Sequence, residues 1–312
     1  MRPAMPMRTQ AGFTLVELIV VVTLLGILGV GAYIGLKPLF QSYGGAAQRA
    51  ELTAAAEAAL QRVTRELRNA LPNSVRVSGG TALEFINTVD GGRYRADFSS
   101  LGGGDPLDFA SLSDGFDVLG GLAATTPAAV TTGAGSAQAC DGARACIVIY
   151  NTGFPASAAD ALVAGSSNNA YLGPGTGNCV PGATWCGNVA TLAGVSTTFA
   201  SFDNAGLTGW HFPTASPRQR FFIAEGPVSY VCDTAARSLR RYAGYALAAV
   251  QVVPPVGATA DNLLTNRVTA CAFSYSAGTA TREALVTISL TLTGDNGQSV
   301  TLHQQAHVSN EQ

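Results

Sequence analysis

The 312-residue chain contains a single lysine, Lys37, and a proline follows it directly. A phosphate-binding Walker A loop needs a lysine followed by serine or threonine, so the sequence excludes this class of nucleotide site. Charged residues are also scarce, at 12% of the chain, and the formal net charge is −2. Nucleic-acid binding normally requires a basic surface, so the composition predicts no nucleic-acid partner.

The common catalytic and metal-binding motifs are missing as well. The sequence has no H-E-x-x-H, no G-x-S-x-G and no EF-hand loop. His303 and His307 lie four apart on one expected strand, about 13 Å between Cα atoms, which is too far to share a metal. We therefore expect no catalytic residue, no metal and no cofactor. Two short acidic loops leave calcium open as an alternative to ordinary turn chemistry, and they contain Asp114, Asp117, Asp295 and Asn296.

One long apolar segment lies near the N-terminus. Residues 18–36 carry no charge and are followed by Lys37. As a helix this segment measures roughly 28 Å, which matches a hydrocarbon core of about 30 Å. Arg2 and Arg8 precede it, so the positive-inside rule predicts a cytoplasmic N-terminus and a C-terminal domain across the membrane. A cleaved secretory signal is the alternative, but the sequence after the run lacks its small-residue cleavage pattern.

A glutamate, Glu17, stands at the start of this apolar segment. A carboxylate at membrane depth costs about 2.5–3.5 kcal/mol, so it usually has a partner or a function. Its simplest explanation is a side chain that reaches the headgroups at the membrane edge. The neighbouring residues favour a function, because Glu17 ends the stretch GFTLVE at residues 12–17 and a polar leader containing Arg8 precedes that stretch.

This stretch resembles the prepilin signature of type IV pilins and type II secretion pseudopilins. In that family a membrane-embedded prepilin peptidase cuts after the glycine, here Gly12, and methylates the new terminal amine, here on Phe13. The resemblance implies that residues 1–12 are a cleaved leader. It also implies that the Glu17 carboxylate neutralises the terminal amine of a neighbouring subunit, since a buried charge is tolerated when it is paired.

The resemblance also implies partners and a location. The expected partners are the prepilin peptidase, other major and minor pilins that bind through the N-terminal helix, the inner-membrane assembly platform and membrane lipid. The expected location is the inner membrane, crossed once, with the N-terminus cytoplasmic and the C-terminal head periplasmic. Export at a pilus tip is a further expectation.

Shorter stretches along the chain narrow the resemblance. They are similar to the large minor pilin of mannose-sensitive haemagglutinin (MSHA) pilus biogenesis, which is akin to the J-type minor pseudopilin of type II secretion. The stretches are RELRNALPNSVRV at 65–77, GPVSYVCD at 226–233, LRRYAGY at 239–245, TACAFSY at 269–275 and HVSN at 307–310.

Three functions follow from these resemblances and from the size of the chain. A bulky head favours a minor pilin that acts in assembly, in priming or at the tip over a repeating shaft subunit. A minor pseudopilin of a type II secretion tip is the first alternative and differs only in its partners. A membrane-anchored periplasmic binding or enzymatic domain is the second, and it would leave Glu17 unexplained.

The pattern of apolar residues predicts an α+β fold. We expect one long helix, with residues 13–36 in the membrane and residues 37–71 on the periplasmic side, followed by a β-rich head over 72–312. Strong helix formers and an apolar stripe mark the second half of the helix. The stripe consists of Leu52, Leu60, Val63, Leu67 and Leu71, and the arginines and glutamate between these leucines are expected on a solvated face.

Short β-prone runs follow the helix. They lie at residues 74–77, 82–86, 94–98, 146–150, 220–224 and 227–231. The clearest pattern closes the chain, where apolar residues alternate with polar ones on both sides of GDNGQ at 294–298, which predicts a hairpin with one buried face. Residues 99–200 are rich in small residues and predict long loops.

Six cysteines in an extracytoplasmic head indicate disulfides, and the absence of C-x-x-C argues against zinc. Six cysteines permit fifteen pairings, and reduced thiols would require a cytosolic domain. The pairing that joins neighbours in sequence is Cys140–Cys146, Cys179–Cys186 and Cys232–Cys271.

Overall fold

The computed structural model describes residues 14–100, 102–109, 113–132, 140–141, 143–152, 168–172, 188–203, 212, 214–278 and 282–309. For residues 38–43 it describes the backbone alone. The chain divides into two compact units, residues 1–51 and residues 52–312. The fold is α+β, as predicted, with a long N-terminal helix and a head of antiparallel strands.

The elements follow one another in a simple order along the chain. In the described residues the helices are α1 (Leu15–Leu67) and α2 (Thr126–Ala129), and a 3-10 turn covers Ala170–Leu172. The strands are β1 (Arg76–Ser78), β2 (Ala82–Tyr94), β3 (Gly115–Leu119), β4 (Cys146–Ile149), β5 (Val189–Val195), β6 (Phe199–Asp203), β7 (Arg220–Asp233), β8 (Ser238–Ala243), β9 (Ala260–Asn266), β10 (Val268–Ser276), β11 (Ala284–Thr293) and β12 (Ser299–Val308).

The long helix α1 ends earlier than the sequence predicts. It stops at Leu67 rather than at residue 71. The reason lies in the backbone that follows, because the N–H of Leu71 donates to the carbonyl of Ile86 at 2.8 Å and the N–H of Thr88 donates to the carbonyl of Asn69 at 2.8 Å. The chain thus exchanges the helical hydrogen bonds for bonds to β2 before the proline is reached.

The predicted apolar stripe of the helix is confirmed. Its members are nearly inaccessible to solvent: Leu52, Leu60, Val63, Leu67 and Leu71. Within the unit formed by residues 52–312, the first four lie in one core with Leu83 and Phe85 of β2 and with Tyr230 of β7. The inward side chains of β11 close this core from the other side, with Val286, Ile288, Leu290 and Leu292.

The C-terminal hairpin is confirmed residue by residue. β11 and β12 pair in antiparallel register, with Leu290 opposite Leu302 and Val286 opposite Ala306. Buried and half-buried residues alternate along the whole of β11. The N–H of Gly294 donates to the carbonyl of Gln298, which closes the turn that the GDNGQ sequence predicts.

A six-stranded antiparallel barrel lies beside the sheet that carries the helix. The strands follow the order β2-β3-β6-β5-β4-β7, and β7 pairs with β2 to close the circle. The interior is filled by aromatic and aliphatic side chains, among them Tyr94, Phe116, Phe202, Phe221 and Ile223. A barrel of so few strands has no room for more than side chains, so this one is a packed core.

β2 and β7 belong to both parts of the head. Their paired ends at Ala82–Asn87 and Gly226–Val231 lie in the helix-bearing sheet β1-β2-β7-β8-β9, and their other halves lie in the barrel. The two predicted runs at 220–224 and 227–231 are therefore one strand. On one side β7 pairs with β4 as far as Ala224 and with β8 from Val228 onward. Pro227 lies between these two pairings, where its missing N–H is tolerated.

One other strand prediction is wrong, and the loop-rich region contains strands that the sequence did not predict. Of the run at 94–98 only Tyr94 lies in a strand, because the N–H of Arg95 turns to the carbonyl of Asp117. The region 99–200 contains the predicted strand β4 and also β3 and β5, which the sequence did not predict. β3 reads GFDVL and β5 reads VATLAGV, so a charged or small residue interrupts each apolar run and the alternation that marks a strand is weak in the sequence.

Candidate functional site

The first turn of α1 is capped by its own sequence. The side-chain oxygen of Thr14 accepts a hydrogen bond from the backbone N–H of Glu17 at 3.3 Å, and its carbonyl accepts the first helical bond from Leu18. Threonine and glutamate three positions apart form the capping-box pattern. The helix dipole also favours a carboxylate in the first turn, so Glu17 has a local role that the sequence analysis missed although the T-x-x-E spacing was available.

The carboxylate of Glu17 is exposed to solvent. Within the described part of the chain, its side chain has no hydrogen-bond or ion-pair partner. In a membrane the two carboxylate oxygens of Glu17 would have no hydrogen-bond or ion-pair partner. This costs free energy unless a second chain supplies the partner. The structure therefore leaves Glu17 available for an intermolecular contact.

The helix that follows is apolar on all sides. Leu15–Lys37 is the one span among the described residues that is long and apolar enough to cross a membrane, and none of it is covered by the rest of the chain. Leu15 is 74% exposed and Ile27 is 69% exposed. A helix that is apolar all round is stable in lipid or between other helices, so this segment fits a single-pass membrane anchor.

Small residues lie within the apolar helix at the spacing that permits close helix contact. Gly31 and Gly35 form a G-x-x-x-G pattern, and a Cβ atom built on either glycine would meet no other atom within 4 Å. Such a surface lets the backbone of a second helix approach closely in a membrane. The same glycines weaken an isolated helix by about 1 kcal/mol each.

The remaining predicted sites are only partly covered by the structure. The junction of Gly12 and Phe13, the leader before it, and the pair Cys179 and Cys186 all lie outside the described residues. Their processing and pairing stay predictions.

Two of the three expected disulfides are present. Cys232 near the end of β7 is bonded to Cys271 of β10, with Cα atoms 6.5 Å apart. This bond joins the helix-bearing sheet to the three-stranded sheet β10-β11-β12. Cys140 is bonded to Cys146 at the start of β4, with Cα atoms 5.3 Å apart.

The acidic loops offer no metal site in the described residues. No group of three or more His, Cys, Asp or Glu side chains there is arranged to hold an ion. Asp117 instead accepts a hydrogen bond from Arg95 at 3.0 Å. His303 is exposed on β12, and His307 lies 3.6 Å from Glu283.

One charged cluster fixes the helix to the head, and the sequence did not predict it. Glu66 was assigned to a solvated face, yet its carboxylate accepts hydrogen bonds from Tyr230 at 2.7 Å, Arg241 at 2.7 Å and Arg62 at 3.1 Å. Burial raises the pKa of Glu66, but the bonds from Tyr230 and Arg241 outweigh it, so the pKa lies below its ordinary value. Only the Arg62 partner, four residues away, could be seen in the sequence.

The comparisons with known proteins agree with the geometry of the N-terminal segment. The family model of the prokaryotic N-terminal methylation motif matches residues 7–33. This segment is therefore similar to the N-terminus of type IV pilin-like proteins. The pilin-like motif implies processing by a prepilin peptidase and assembly with other pilins. No curated protein and no solved structure matches the chain, so the match concerns the N-terminal segment and not the head.

Proposed function

We propose that this chain is a minor subunit of a type IV pilus-like assembly of the MSHA kind, which acts in priming or at the tip and is not an enzyme. One observation carries the proposal: a capped and exposed apolar helix bears one carboxylate, that of Glu17, which has no bonding partner among the described residues and lies within a matched methylation motif. An enzyme on a plain anchor would have no use for this arrangement.

The mechanism of assembly follows from the charges at the helix start. Cleavage after Gly12 would leave a positive amine on Phe13, four residues before Glu17. In a low-dielectric environment an ammonium and a carboxylate attract strongly, and each is costly alone. The carboxylate of one subunit would therefore pair with the terminal amine of its neighbour as the helices pack, and the G-x-x-x-G face would permit the close approach.

The head supports a minor rather than a repeating role. It spans Leu52–Gln312 and contains a second hydrophobic core inside the barrel. A repeating shaft subunit has to pack its head against identical neighbours at short axial spacing. The added barrel makes such close packing difficult. A subunit present in few copies has no such restriction.

The proposed location is the inner membrane. The N-terminus would be cytoplasmic and the head periplasmic, because Arg2 and Arg8 precede the apolar helix. The two disulfides support an oxidising compartment for the head. The assembly platform and membrane lipid would contact the helix.

The test is recovery of partner subunits with Glu17→Val. Tagged wild-type and variant proteins are extracted from membranes at equal amounts, and the co-purifying subunits are identified by mass spectrometry. We expect recovery to fall at least tenfold, because an unpaired buried charge costs about 3–5 kcal/mol. Glu57→Val is the matched control, since Glu57 is an exposed carboxylate of the same helix in the head.

Three outcomes are informative. The assembly role of Glu17 is supported if Glu17→Val loses the co-purifying subunits and Glu57→Val recovers them normally. Equal recovery from both variants means that the Glu17 carboxylate has no role in assembly, and the proposal fails. Partners that belong to a secretion system instead of a pilus would overturn the MSHA assignment and leave the assembly mechanism standing.

A further inference from the structure

A cleft lies on the outer side of the barrel, where β2 and β7 run side by side. Its volume is about 440 Å³, which is within the range of small-molecule sites. The lining comes from the chain just after α1, from β2 and from β7, and it includes Asn69, Asp90, Gly91, Arg93, Arg220 and Phe222. We call this site the arginine cleft.

The two arginines of the cleft face each other across the strand pair. Arg93 of β2 lies directly opposite Arg220 of β7. Their neighbours Tyr94 and Phe221 fill the barrel interior, so the two arginines project outward. Side chains at opposite positions have Cβ atoms about 4.5–5.5 Å apart, and like charges there destabilise the strand pair. An anion between the two guanidinium groups would remove this repulsion.

The carboxylate in the lining is engaged within the head. Asp90 accepts hydrogen bonds from the N–H of Gly91 at 2.7 Å and from the N–H of Ala123 at 3.0 Å. The hydroxyl of Thr126 donates to the same carboxylate. These bonds use both of its oxygens and hold β2 against the start of α2, so Asp90 has a structural role.

The guanidinium of Arg93 is available to a ligand. It donates to the neutral amide oxygen of Gln219 at 3.0 Å, and it forms no ion pair with any residue that the structure describes. The side chain of Arg93 is exposed. Arginine binds carboxylate and phosphate groups well, because its N–H donors match the spacing of two oxygens. The cleft therefore favours a ligand that carries one of these oxyanions.

The backbone of β2 bends at the cleft and leaves its floor open. The pairing with β7 shifts between Asn87 and Thr88 and again between Thr88 and Asp90, which marks β-bulges. Bulges bend a strand and are frequent next to binding sites. Gly91 adds no side chain on this face, and a Cβ atom there would lie 3.2 Å from the ring of Phe222. The half-buried Phe222 ring therefore borders a strip of bare backbone.

These groups match an acidic sugar better than a bare ion. The guanidinium groups of Arg93 and Arg220 would bind the oxyanion. The ring of Phe222 offers an apolar surface to one face of a sugar ring, and the exposed side-chain amide of Asn69 can bond a hydroxyl group. A bare ion would contact the arginines alone and leave most of the cleft unfilled.

We propose that the arginine cleft binds a sugar that carries a carboxylate or a phosphate group, with the oxyanion between Arg93 and Arg220 and the sugar ring against Phe222. The site lies wholly in the head. It goes beyond the proposed function, since it gives the head a ligand of its own and does not depend on the role of Glu17.

Calorimetric titration of the full-length protein in a neutral detergent tests this. The probes are digalacturonate for the carboxylate and glucose 6-phosphate for the phosphate, and the controls are digalactose and inorganic phosphate. We expect one of the two acidic sugars to bind at least tenfold more tightly than either control. The acidic sugar that binds identifies the oxyanion that the cleft accepts.

Substitutions locate the binding site. Arg93→Gln should weaken binding of that sugar at least tenfold, and Arg93→Lys should weaken it less because the charge is kept. Asn69→Ala should weaken it about threefold through the loss of one hydrogen bond. Arg282→Gln is the matched control and should leave the affinity unchanged, since Arg282 is exposed and lies outside the cleft lining. Resistance of Cys232 and Cys271 to alkylation verifies that each variant is folded.

Three results would overturn the inference. Neither acidic sugar binds more tightly than digalactose, or inorganic phosphate binds as tightly as the acidic sugar, or Arg93→Gln and Arg282→Gln bind the sugar equally well. The Glu17→Val comparison is separate from all three. If Glu17→Val lowers partner recovery and no acidic sugar binds, this inference fails alone. If Glu17→Val has no effect, the helix mechanism fails whatever the titration shows.

Discussion

Two glutamates on one helix have opposite surroundings. Glu17 is exposed and its backbone N–H bonds Thr14, whereas the carboxylate of Glu66 accepts three hydrogen bonds within the head. The same residue type therefore has two different roles on this helix. At the start of the helix it is available to a neighbouring chain, and at the end it fixes the helix to β7 and β8.

We predict that Glu66→Ala destabilises the head by about 1–3 kcal/mol, because it leaves Tyr230 and Arg241 without their buried acceptor. Thermal unfolding of the detergent-extracted protein measures the change. Glu57→Ala is the control and should stay within about 0.5 kcal/mol of wild type, since Glu57 is exposed. Equal effects of the two substitutions would show that the Glu66 cluster adds nothing.

The same cluster makes stability depend on pH. The pKa of Glu66 is lower in the folded protein than its ordinary value, so the stabilisation is present above that ordinary value and is lost as pH falls through the folded pKa. The wild-type unfolding temperature should therefore fall more steeply below the ordinary glutamate pKa than that of Glu66→Ala. Parallel curves for the two proteins would contradict this assignment.

At the scale of elements, the head depends on two long strands that change partners halfway. β2 pairs with β7 along its whole length, while β1 lies beside its first half and β3 beside its end. At Gly91 of β2 an added Cβ would lie 2.9 Å from the carbonyl oxygen of Phe221 in β7. Glycine is required there because the neighbour is backbone and cannot move aside.

We predict that Gly91→Ala destabilises the protein by about 1–3 kcal/mol, the usual cost of overpacking a well-packed site. Gly103→Ala is the matched control, since its added Cβ would meet only the Ser99 hydroxyl at 3.6 Å. The difference between the two unfolding temperatures measures the effect. A Gly91→Ala protein as stable as the Gly103→Ala protein would mean that β2 and β7 separate freely at this point.

The sequence pattern predicted those elements in which apolar residues recur at a regular spacing. The stripe of α1 and the alternation in β11 and β12 were correct because each element buries one face. The barrel could not be predicted, since β2 and β7 bring together residues more than a hundred positions apart and local periodicity carries no such information. The end of α1 was placed too late because the N–H of Leu71 bonds the carbonyl of Ile86 in β2 instead of a carbonyl of the helix.

The site was predictable where a motif marks it and not elsewhere. Glu17 was identified from its neighbours in sequence, and the methylation motif at residues 7–33 agrees. Glu66 was missed because its partners Tyr230 and Arg241 come from distant strands. The bonds from Arg76 to the carbonyls of Ala248 and Ala249 were missed for the same reason, since these residues are far apart in the chain.

At the scale of the whole molecule, one chain combines an apolar helix built for contact with other helices and a head with its own cores. The two units have separate tasks in the proposed assembly. The helix would hold the subunit beside its neighbours through Glu17 and the glycine face.

The most direct test of the central claim is the intact mass of the protein extracted from its native membrane. The account predicts a chain that lacks residues 1–12 and begins with Phe13 carrying one methyl group on its terminal amine, with two to three disulfides. A Gly12→Ser variant, which removes the glycine at the cleavage site, should keep its leader and gain no methyl group. An intact N-terminus on the wild-type protein, or cleavage beyond the apolar helix, would contradict the assignment to the pilin-like proteins.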